Sequence, residues 1–165
     1  MITISEATIK DIKVIREIAF KTWPVTYGEI LSRAQIDYML DLFYSEETLM
    51  DKLANKRHHF FVLKKNEICL GFASYEHHYL NSNYTRLHKF YLLTEHQGKG
   101  MGKLMLDKIV ALAKENRSDT LSLNVNRFNK AFAFYQNLGF QIVAEEDISI
   151  GQGYLMEDYI MEKQL

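Results

Sequence analysis

LHKFYLLTEHQGKGMGK, residues 87–103, is the stretch that decides the fold. Its first half suits a β-strand, its end suits the start of a helix, and three alternating glycines lie between positions 98 and 102. Glycine has no Cβ, so the backbone there can approach a ligand closely. The first N–H groups of the following helix are unpaired and lie at its positive dipole end. The loop is therefore a candidate phosphate or pyrophosphate site, to which Lys99 and Lys103 would add positive charge.

Two other phosphate-binding motifs do not fit this loop. A Walker loop needs G-x-x-x-x-G-K-[ST], but Leu104 follows Gly102 and Lys103. A dinucleotide fingerprint needs G-x-G-x-x-G, whereas the glycines here alternate as G-x-G-x-G. A tight turn without any ligand would use the same residues, so the function of the loop depends on the rest of the chain.

The composition indicates one folded domain over residues 1–165. A hydrophobic content of 47% is enough for a core of its own, and the net charge of −1 gives little support for nucleic-acid binding. No apolar run reaches the roughly 18 residues of a membrane span, and the first residues carry acids instead of an apolar signal core. The single cysteine, Cys69, excludes an internal disulfide. We therefore expect a cytoplasmic protein that binds neither nucleic acid nor membranes.

The hydrophobic pattern predicts the element order β-α-α-α-β-β-β-α-β-α-β-β. Thr8 is predicted to cap a first helix that ends near Lys21, because Pro24 disfavours helix at the residue before it. Three strands joined by turns follow at 58–63, 68–76 and 84–93. A strand–helix–strand unit around the glycine loop then requires a parallel pair with a right-handed crossover. The expected fold class is α/β, with a mixed and mostly antiparallel sheet and helices on both faces.

A second motif lies in residues 124–140, NVNRFNKAFAFYQNLGF. It reads as a short aromatic helix that ends at Gly139. Phe132 and Phe134 suit a hydrophobic core. Tyr135 differs from them because its hydroxyl can donate a proton, for example to a leaving thiolate.

Together the two motifs resemble those of the GNAT superfamily of acyl-CoA-dependent N-acyltransferases. The Q-x-x-G-x-G signature is met by Gln97, Gly100 and Gly102, and N-x-A-x-x-x-Y-x-x-x-G-F follows in register. The predicted element order matches that family over essentially the whole chain. Residues 22–40 and 153–163 also resemble a bacterial subgroup that includes polyamine (spermidine/spermine) N-acetyltransferases.

The resemblance implies that acetyl-CoA is the donor. Family members leave a splay between the strand before the loop and the strand after the next helix, and the pantetheine arm lies in it. One segment would then hold the thioester, and the next would wrap the pyrophosphate with backbone N–H groups. The implied binding residues are Tyr91, Leu92 and Leu93, then Gln97, Gly98, Lys99, Gly100, Met101, Gly102 and Lys103. Asn129 is the nearest match to the family's asparagine, but its spacing to Ala131 differs by one residue, so Asn124 or Asn126 are alternatives.

The resemblance also makes Tyr135 the general acid that protonates the departing CoA thiolate. An amine attacks the thioester directly, so no protein nucleophile is required. The amine must first lose a proton, and His88, Glu76 and a water chain are the candidate bases. The oxyanion that develops needs a donor, which the N–H of Leu92 or Leu93 would supply.

The acceptor is expected to be a small-molecule amine, with a polyamine favoured. Trp23 and Tyr27 lie where family members shape the acceptor pocket. The acidic runs 145–147 and 157–158 would attract a cationic amine. A homodimer is possible, because many relatives pair.

No metal is expected. His58 and His59 are adjacent in the strand predicted at 58–63. His77 and His78 are also adjacent and directly follow the strand predicted at 68–76. Neighbouring residues of a strand point to opposite faces, so neither pair can chelate an ion as a unit.

Three alternatives to a small-amine acetyltransferase remain. One is an acetyltransferase that acts on a protein or peptide amine. Another is a non-catalytic acyl-CoA-binding or regulatory module on the same fold. The third, more distant, is an unrelated phosphate-loop protein.

Overall fold

A computed structural model describes all 165 residues. The helices and strands occur in the predicted order. The strands are β1 Ile2–Glu6, β2 His58–Lys65, β3 Ile68–Glu76, β4 Tyr84–Leu92, β5 Thr120–Asn126, β6 Gln141–Ser149 and β7 Leu155–Gln164. The helices are α1 Ile12–Tyr27, α2 Arg33–Tyr44, α3 Glu46–Ala54, α4 Met101–Glu115 and α5 Ala131–Asn137.

All seven strands form one sheet in the order β1-β2-β3-β4-β5-β7-β6. Every neighbouring pair is antiparallel except β4 and β5, which run parallel. Helix α4 provides the crossover between these two strands. The prediction of a mixed, mostly antiparallel sheet with one parallel pair is therefore confirmed.

Helices cover both faces of the sheet, as expected. Helices α4 and α5 pack on one face, where Met105 and Ile109 are fully buried. Helices α1, α2 and α3 pack on the other, where Ile15 and Leu49 are fully buried. Burying one such side chain stabilises the fold by about 1.5–3 kcal/mol. No helix combines the length and the apolar character that a membrane crossing requires.

A bulge in β4 sets which side chains face which layer. Ser74 pairs with Lys89 and Tyr75 pairs with Leu87, so His88 is an extra residue without a partner on β3. Leu87 lies in the core under α4, and Tyr91 lies on the α1–α3 face. Strict alternation would put these two side chains on the same face. The bulge reverses the alternation and brings both His88 and Lys89 to the α1–α3 face.

Strands β4 and β5 separate beyond this bulge. Their parallel pairing runs from Tyr84 with Thr120 to Leu87 with Leu123 and stops there. Both strands continue, β4 as far as Leu92. A gap therefore opens between them directly before the glycine loop, which is the splay that the family resemblance implied.

The predicted end of the first helix near Lys21 is wrong. Helix α1 continues to Tyr27 with Pro24 inside it, and Thr8 caps a short 3-10 turn that precedes the helix. Proline removes one helical hydrogen bond and crowds the preceding turn. Burial of Trp23 and Tyr27, which are 4% and 6% exposed, offsets this cost. The two aromatic residues therefore lie one turn apart on a single helix face and not in a loop.

Candidate active site

The loop between β4 and α4 presents a row of free backbone donors. Gly98 and Gly100 have φ angles of 73° and 84°, the left-handed region that glycine adopts without strain. The first backbone bond of α4 runs from Leu104 N to the Gly100 carbonyl oxygen, at 3.0 Å. The N–H groups of residues 98–103 donate to no acceptor within the protein. Six such donors at a helix N-terminus suit an anionic diphosphate.

The side chains of this loop are mostly engaged within the protein. Gln97 Nε2 donates to the Leu92 carbonyl oxygen at 3.0 Å, and Lys99 Nζ donates to the Glu95 carbonyl oxygen at 3.0 Å. Lys103 pairs with Asp107 at 2.7 Å, one turn further along α4. The side chain of Met101 lies in the core. The loop therefore offers an anion its backbone more than its side chains.

Of the two backbone donors that the sequence predicts at the end of β4, one is already used within the sheet. Leu93 N donates to the Leu70 carbonyl oxygen at 2.8 Å, so this N–H, expected as an oxyanion donor, is already used. Bonding groups alternate along an antiparallel strand, so the N–H of Leu92 faces the opposite side. That side is the gap towards β5. Of the two predicted donors, Leu92 is the one with its N–H directed into the splay.

Tyr135 lies on α5 in an aromatic box. The centroid of its ring is 6.2 Å from that of Phe90, 5.3 Å from that of Phe134 and 5.6 Å from that of Phe140. The residue is only 7% exposed, yet its hydroxyl makes no hydrogen bond within the protein. Burial, with a smaller contribution from Tyr27, raises the pKa of Tyr135 well above its usual value. The phenol therefore stays protonated at neutral pH and can act as a proton donor.

A cleft of about 540 Å³ opens on the α1–α3 face of β4. Its wall includes the aromatic residues Trp23, Tyr27, Tyr44 and Tyr91. The ring centroids of Trp23 and Tyr27 are 4.7 Å apart, and the hydroxyls of Tyr27 and Tyr91 are 3.3 Å apart. Both residues that were expected to shape the acceptor pocket therefore line a real cleft, because α1 continues past Pro24.

Two buried polar atoms in this wall have no hydrogen-bond partner, and they are Asp158 Oδ1 and Trp23 Nε1. Asp158 is 6% exposed, and its other oxygen accepts a bond from Asn124 Nδ2 at 3.2 Å. Burial raises the pKa of Asp158, which the bond from Asn124 partly offsets. An unpaired buried acceptor is costly, so this oxygen suits the N–H of a ligand. The sequence placed Asp158 in an acidic run but gave no sign that it is buried.

The three candidate cofactor asparagines all have partners within the protein. Asn124 accepts a bond from Arg86 and donates to Asp158, so its amide belongs to the wall of the cleft. Asn126 Oδ1 accepts from the backbone N of Phe128 at 3.0 Å. In the same way, Asn129 Oδ1 accepts from Ala131 N at 2.9 Å and holds the start of α5. A contact of any of them with the cofactor stays a prediction.

The two candidate bases lie side by side, with His88 Nε2 and Glu76 Oε1 at 3.1 Å. His58, which the sequence analysis treated only as half of a histidine pair, joins them with its Nε2 3.7 Å from the same oxygen. Burial, followed by the charge of Lys89, lowers the pKa of His88 to about 3. Burial, followed by the charge of Lys52, lowers the pKa of His58 to about 4. Both imidazoles are therefore neutral at pH 7, and His88 is a weak base.

Lys89 is a further cleft residue that the sequence analysis missed. Its Nζ lies 5.2 Å from the ring centroid of Tyr44 and 5.8 Å from that of Phe43. Burial, with the nearby Lys52, lowers the pKa of Lys89 to about 8. The cleft thus combines an aromatic wall with charges of both signs, since Asp158 also lines it.

The sequence model of the acetyltransferase (GNAT) family matches residues 12–140. This range includes the splay, the glycine loop and Tyr135. The chain belongs to the acetyltransferase (GNAT) family. As a GNAT protein it is an acyltransferase enzyme, and its donor is acetyl-CoA.

Two curated relatives cover nearly all of this GNAT chain. It is 30% identical over 161 residues to the Uncharacterized N-acetyltransferase YuaI of Bacillus subtilis (strain 168), across 95% of this chain and 90% of that protein. It is 27% identical over 168 residues to the Spermidine N(1)-acetyltransferase of Thermoplasma acidophilum, across 99% of this chain and 97% of that protein.

Among solved structures, the PaiA N-acetyltransferase of Thermoplasma acidophilum in complex with coenzyme A superposes with a TM-score of 0.85. That structure is 27% identical and covers 100% of this chain and 99% of its own. A GCN5-related N-acetyltransferase from Rhodopseudomonas palustris is similar in fold, with a TM-score of 0.84 at 16% identity. The match covers 99% of this chain and 95% of that one. The family model and the two Thermoplasma acidophilum matches confirm the resemblance to GNAT proteins of the polyamine acetyltransferase-like subgroup.

Proposed function

We propose that this protein transfers an acetyl group from acetyl-CoA to the primary amine of a small cationic molecule, a polyamine being the favoured class. The amine attacks the thioester directly, and Tyr135 acts as the general acid. The observation that carries the proposal is the buried Tyr135, whose hydroxyl has no partner within the protein. Acetyl-CoA supplies the activated acetyl group when bound, and the chain supplies the groups that hold the reactants and move protons.

The donor side of the site relies on backbone N–H groups. Those of residues 98–103 suit the pyrophosphate because none of them is bonded within the protein. The N–H of Leu92, which faces the splay, donates to the thioester carbonyl oxygen. A fixed donor at this point stabilises the negative charge that the oxygen acquires during attack.

Tyr135 moves the proton at the leaving group. Its Oη donates to the thiolate sulfur as the C–S bond breaks. The raised pKa of Tyr135 keeps the phenol protonated for this step. A positioned acid of this kind contributes about 10²–10⁴-fold to the rate.

The acceptor side combines an anion with aromatic rings. Asp158 Oδ1 accepts a hydrogen bond from the acceptor nitrogen, because this oxygen is buried and otherwise unpaired. Trp23, Tyr27 and Tyr91 contact the alkyl part of the acceptor, and their π-faces attract its cationic groups. Among the three candidate bases we favour water in the cleft, since the pKa of His88 is about 3 and Glu76 is hydrogen-bonded to it. The similarity to a spermidine N(1)-acetyltransferase supports a polyamine as acceptor.

The proposal is tested by measuring CoA release from acetyl-CoA with separate panels of polyamines, amino acids and peptides. We expect turnover with polyamines and a mass increase of one acetyl group on the acceptor. Turnover with peptides alone would shift the acceptor class to protein amines. If calorimetry shows acetyl-CoA binding but no amine raises CoA release above background, the protein is a non-catalytic acyl-CoA-binding module.

A further inference from the structure

Three side chains from three neighbouring strands meet at one end of the acceptor cleft. His58 on β2 and Glu76 on β3 lie directly opposite each other in the sheet. The bulge in β4 brings His88 to the same face. One ligand atom from each of the three residues lies within 4.8 Å of the other two.

We propose that His58, Glu76 and His88 form a binding site for a divalent transition-metal ion of the Zn²⁺ type, and that the bound ion inhibits acetyl transfer by occupying the acceptor cleft. Binding at the site is independent of the proposed function, and only the inhibitory effect rests on it. The ion is a regulator in this proposal and takes no part in the reaction.

The donor atoms suit such an ion in type and in spacing. Zn²⁺ takes imidazole nitrogens and carboxylate oxygens at about 2.0–2.2 Å, which places tetrahedral ligand atoms about 3.3–3.5 Å apart. Glu76 Oε1 lies 3.1 Å from His88 Nε2 and 3.7 Å from His58 Nε2. The remaining distance, between the two imidazole nitrogens, is at most 4.8 Å. Tetrahedral coordination needs it to shorten by roughly an ångström, which small rotations of one imidazole side chain provide. Water or an acceptor amine completes the coordination.

The surrounding charges limit the affinity. Lys52 and Lys89 lie close enough to affect the ionisation of His58 and His88, and as cations they oppose a second cation. Glu76 contributes a negative charge at the centre of the cluster. With three ligands and this opposition, we expect a dissociation constant in the micromolar range, far weaker than that of a closed structural zinc site.

Two other histidines nearby serve as matched controls. The ring of His59 stacks on Tyr75 with centroids 5.4 Å apart, and the side chain of Tyr75 lies in the core under α4. The Nδ1 atom of His77 is paired with Thr85 Oγ1 at 2.8 Å. Neither of these side chains belongs to the cluster, although each is one residue away in sequence from a member of it.

The experiment uses the full-length protein without an affinity tag and with Co²⁺ as the probe. We expect visible ligand-field absorption that saturates at one Co²⁺ per chain and disappears on addition of Zn²⁺. His58→Ala and His88→Ala should each weaken Co²⁺ binding by at least about 100-fold, because even the loss of a supporting residue costs 10–100-fold. His59→Ala should bind Co²⁺ like the unchanged protein. Circular dichroism confirms that each variant is folded, and Glu76→Gln replaces any that is not.

Two results would overturn the proposal. One is the absence of saturable Co²⁺ binding below millimolar concentration. The other is Co²⁺ binding by folded His58→Ala and His88→Ala that equals that of the unchanged protein. The spectrum needs no acceptor, so an enzyme that acetylates no amine in the panel can still show the metal site. In an active enzyme, Zn²⁺ should inhibit acetyl transfer over the same concentration range in which it displaces Co²⁺, and inhibition outside that range would remove the regulatory role.

Discussion

Polar atoms without a partner are the residue-scale feature of this site. Asp158 Oδ1 and Trp23 Nε1 are buried in the wall of the cleft without a hydrogen-bond partner. Leaving such an atom unpaired costs about 1–3 kcal/mol, so a folded chain rarely keeps two of them near one cleft. Binding a ligand that satisfies them recovers this free energy. The sequence could indicate Tyr135, because it lies in a local motif, but not the unpaired oxygen of Asp158, whose burial depends on helices far away in the chain.

Replacing Tyr135 with Phe should lower kcat by about 10²–10³-fold, because it removes the proton donor and leaves the ring. The KM for acetyl-CoA should change little, since backbone groups hold the donor. Steady-state kinetics with spermidine measures both quantities. Tyr84→Phe, at the far end of β4, is the control and should behave like the unchanged enzyme. Equal losses in the two variants would remove the special role of Tyr135.

Replacing Asp158 with Asn should raise the KM for a polyamine by about tenfold or more, which corresponds to about 1.4 kcal/mol of lost binding. The KM for acetyl-CoA should not change. The neighbouring Glu157 is exposed, so Glu157→Gln removes the same charge from the chain without touching the cleft. If both variants raise the KM equally, the acceptor responds to the general field of the acidic run and not to Asp158.

At the scale of elements, β4 and α1 build the site by departing from regular patterns. The bulge at His88 and the passage of α1 through Pro24 both follow from packing against residues distant in sequence. Local signals predicted the element order, the glycine loop and the position of Tyr135. Local signals did not predict the bulge or the continuation of α1. They also did not predict that His58 lies beside Glu76, because the sequence of one strand does not determine its register with its neighbour.

Two glycines of the loop differ in a way that mutation can separate. Gly100 has a φ angle of 84° with open space around it, so Gly100→Ala introduces backbone strain of about 1–2 kcal/mol and no clash. Gly102 has ordinary helical geometry, and an added Cβ would lie 3.4 Å from the ring of Phe134. We expect Gly100→Ala to lower both the free energy of unfolding and the affinity for acetyl-CoA more than Gly102→Ala does. Urea unfolding and calorimetry measure the two effects, and the reverse order would mean that helix contact matters more than loop conformation.

At the scale of the whole molecule, one sheet separates two hydrophobic cores. The site lies where β4 and β5 of that sheet separate. Tyrosines line this junction from both layers. Burial raises the pKa values of Tyr27, Tyr44, Tyr91 and Tyr135 above the usual value of 10. The four residues come from three helices and one strand, so their common environment exists only in the folded chain.

These tyrosines predict a loss of stability in alkali. Their folded pKa values are higher than those of the unfolded chain, so their contribution is fully present below about pH 10 and is lost as the pH rises above it. Each tyrosine that ionises only in the unfolded chain lowers the free energy of unfolding by about 1.4 kcal/mol per pH unit. Urea unfolding at about pH 8.5 and about pH 10.5, with phenolate absorption recorded in parallel, measures this. Ionisation of all 10 tyrosines near pH 10 in a folded protein would contradict it.

The surplus residue in β4 has a consequence for how this chain tolerates change in length. Beyond His88, the residues at even steps from Leu87, such as Tyr91, face the cleft, and those at odd steps, such as Leu92, face the α4 core, the reverse of what a regular strand gives. His88 is the residue whose removal restores ordinary parity without turning over any neighbour. A chain shortened by that one residue should therefore keep its sheet and both cores, while β4 and β5 stay in register for longer and the gap between them narrows. The shortened protein should therefore remain folded but no longer bind acetyl-CoA. A single extra residue in β4 thus separates this enzyme from a protein that has the same sheet and no cofactor site.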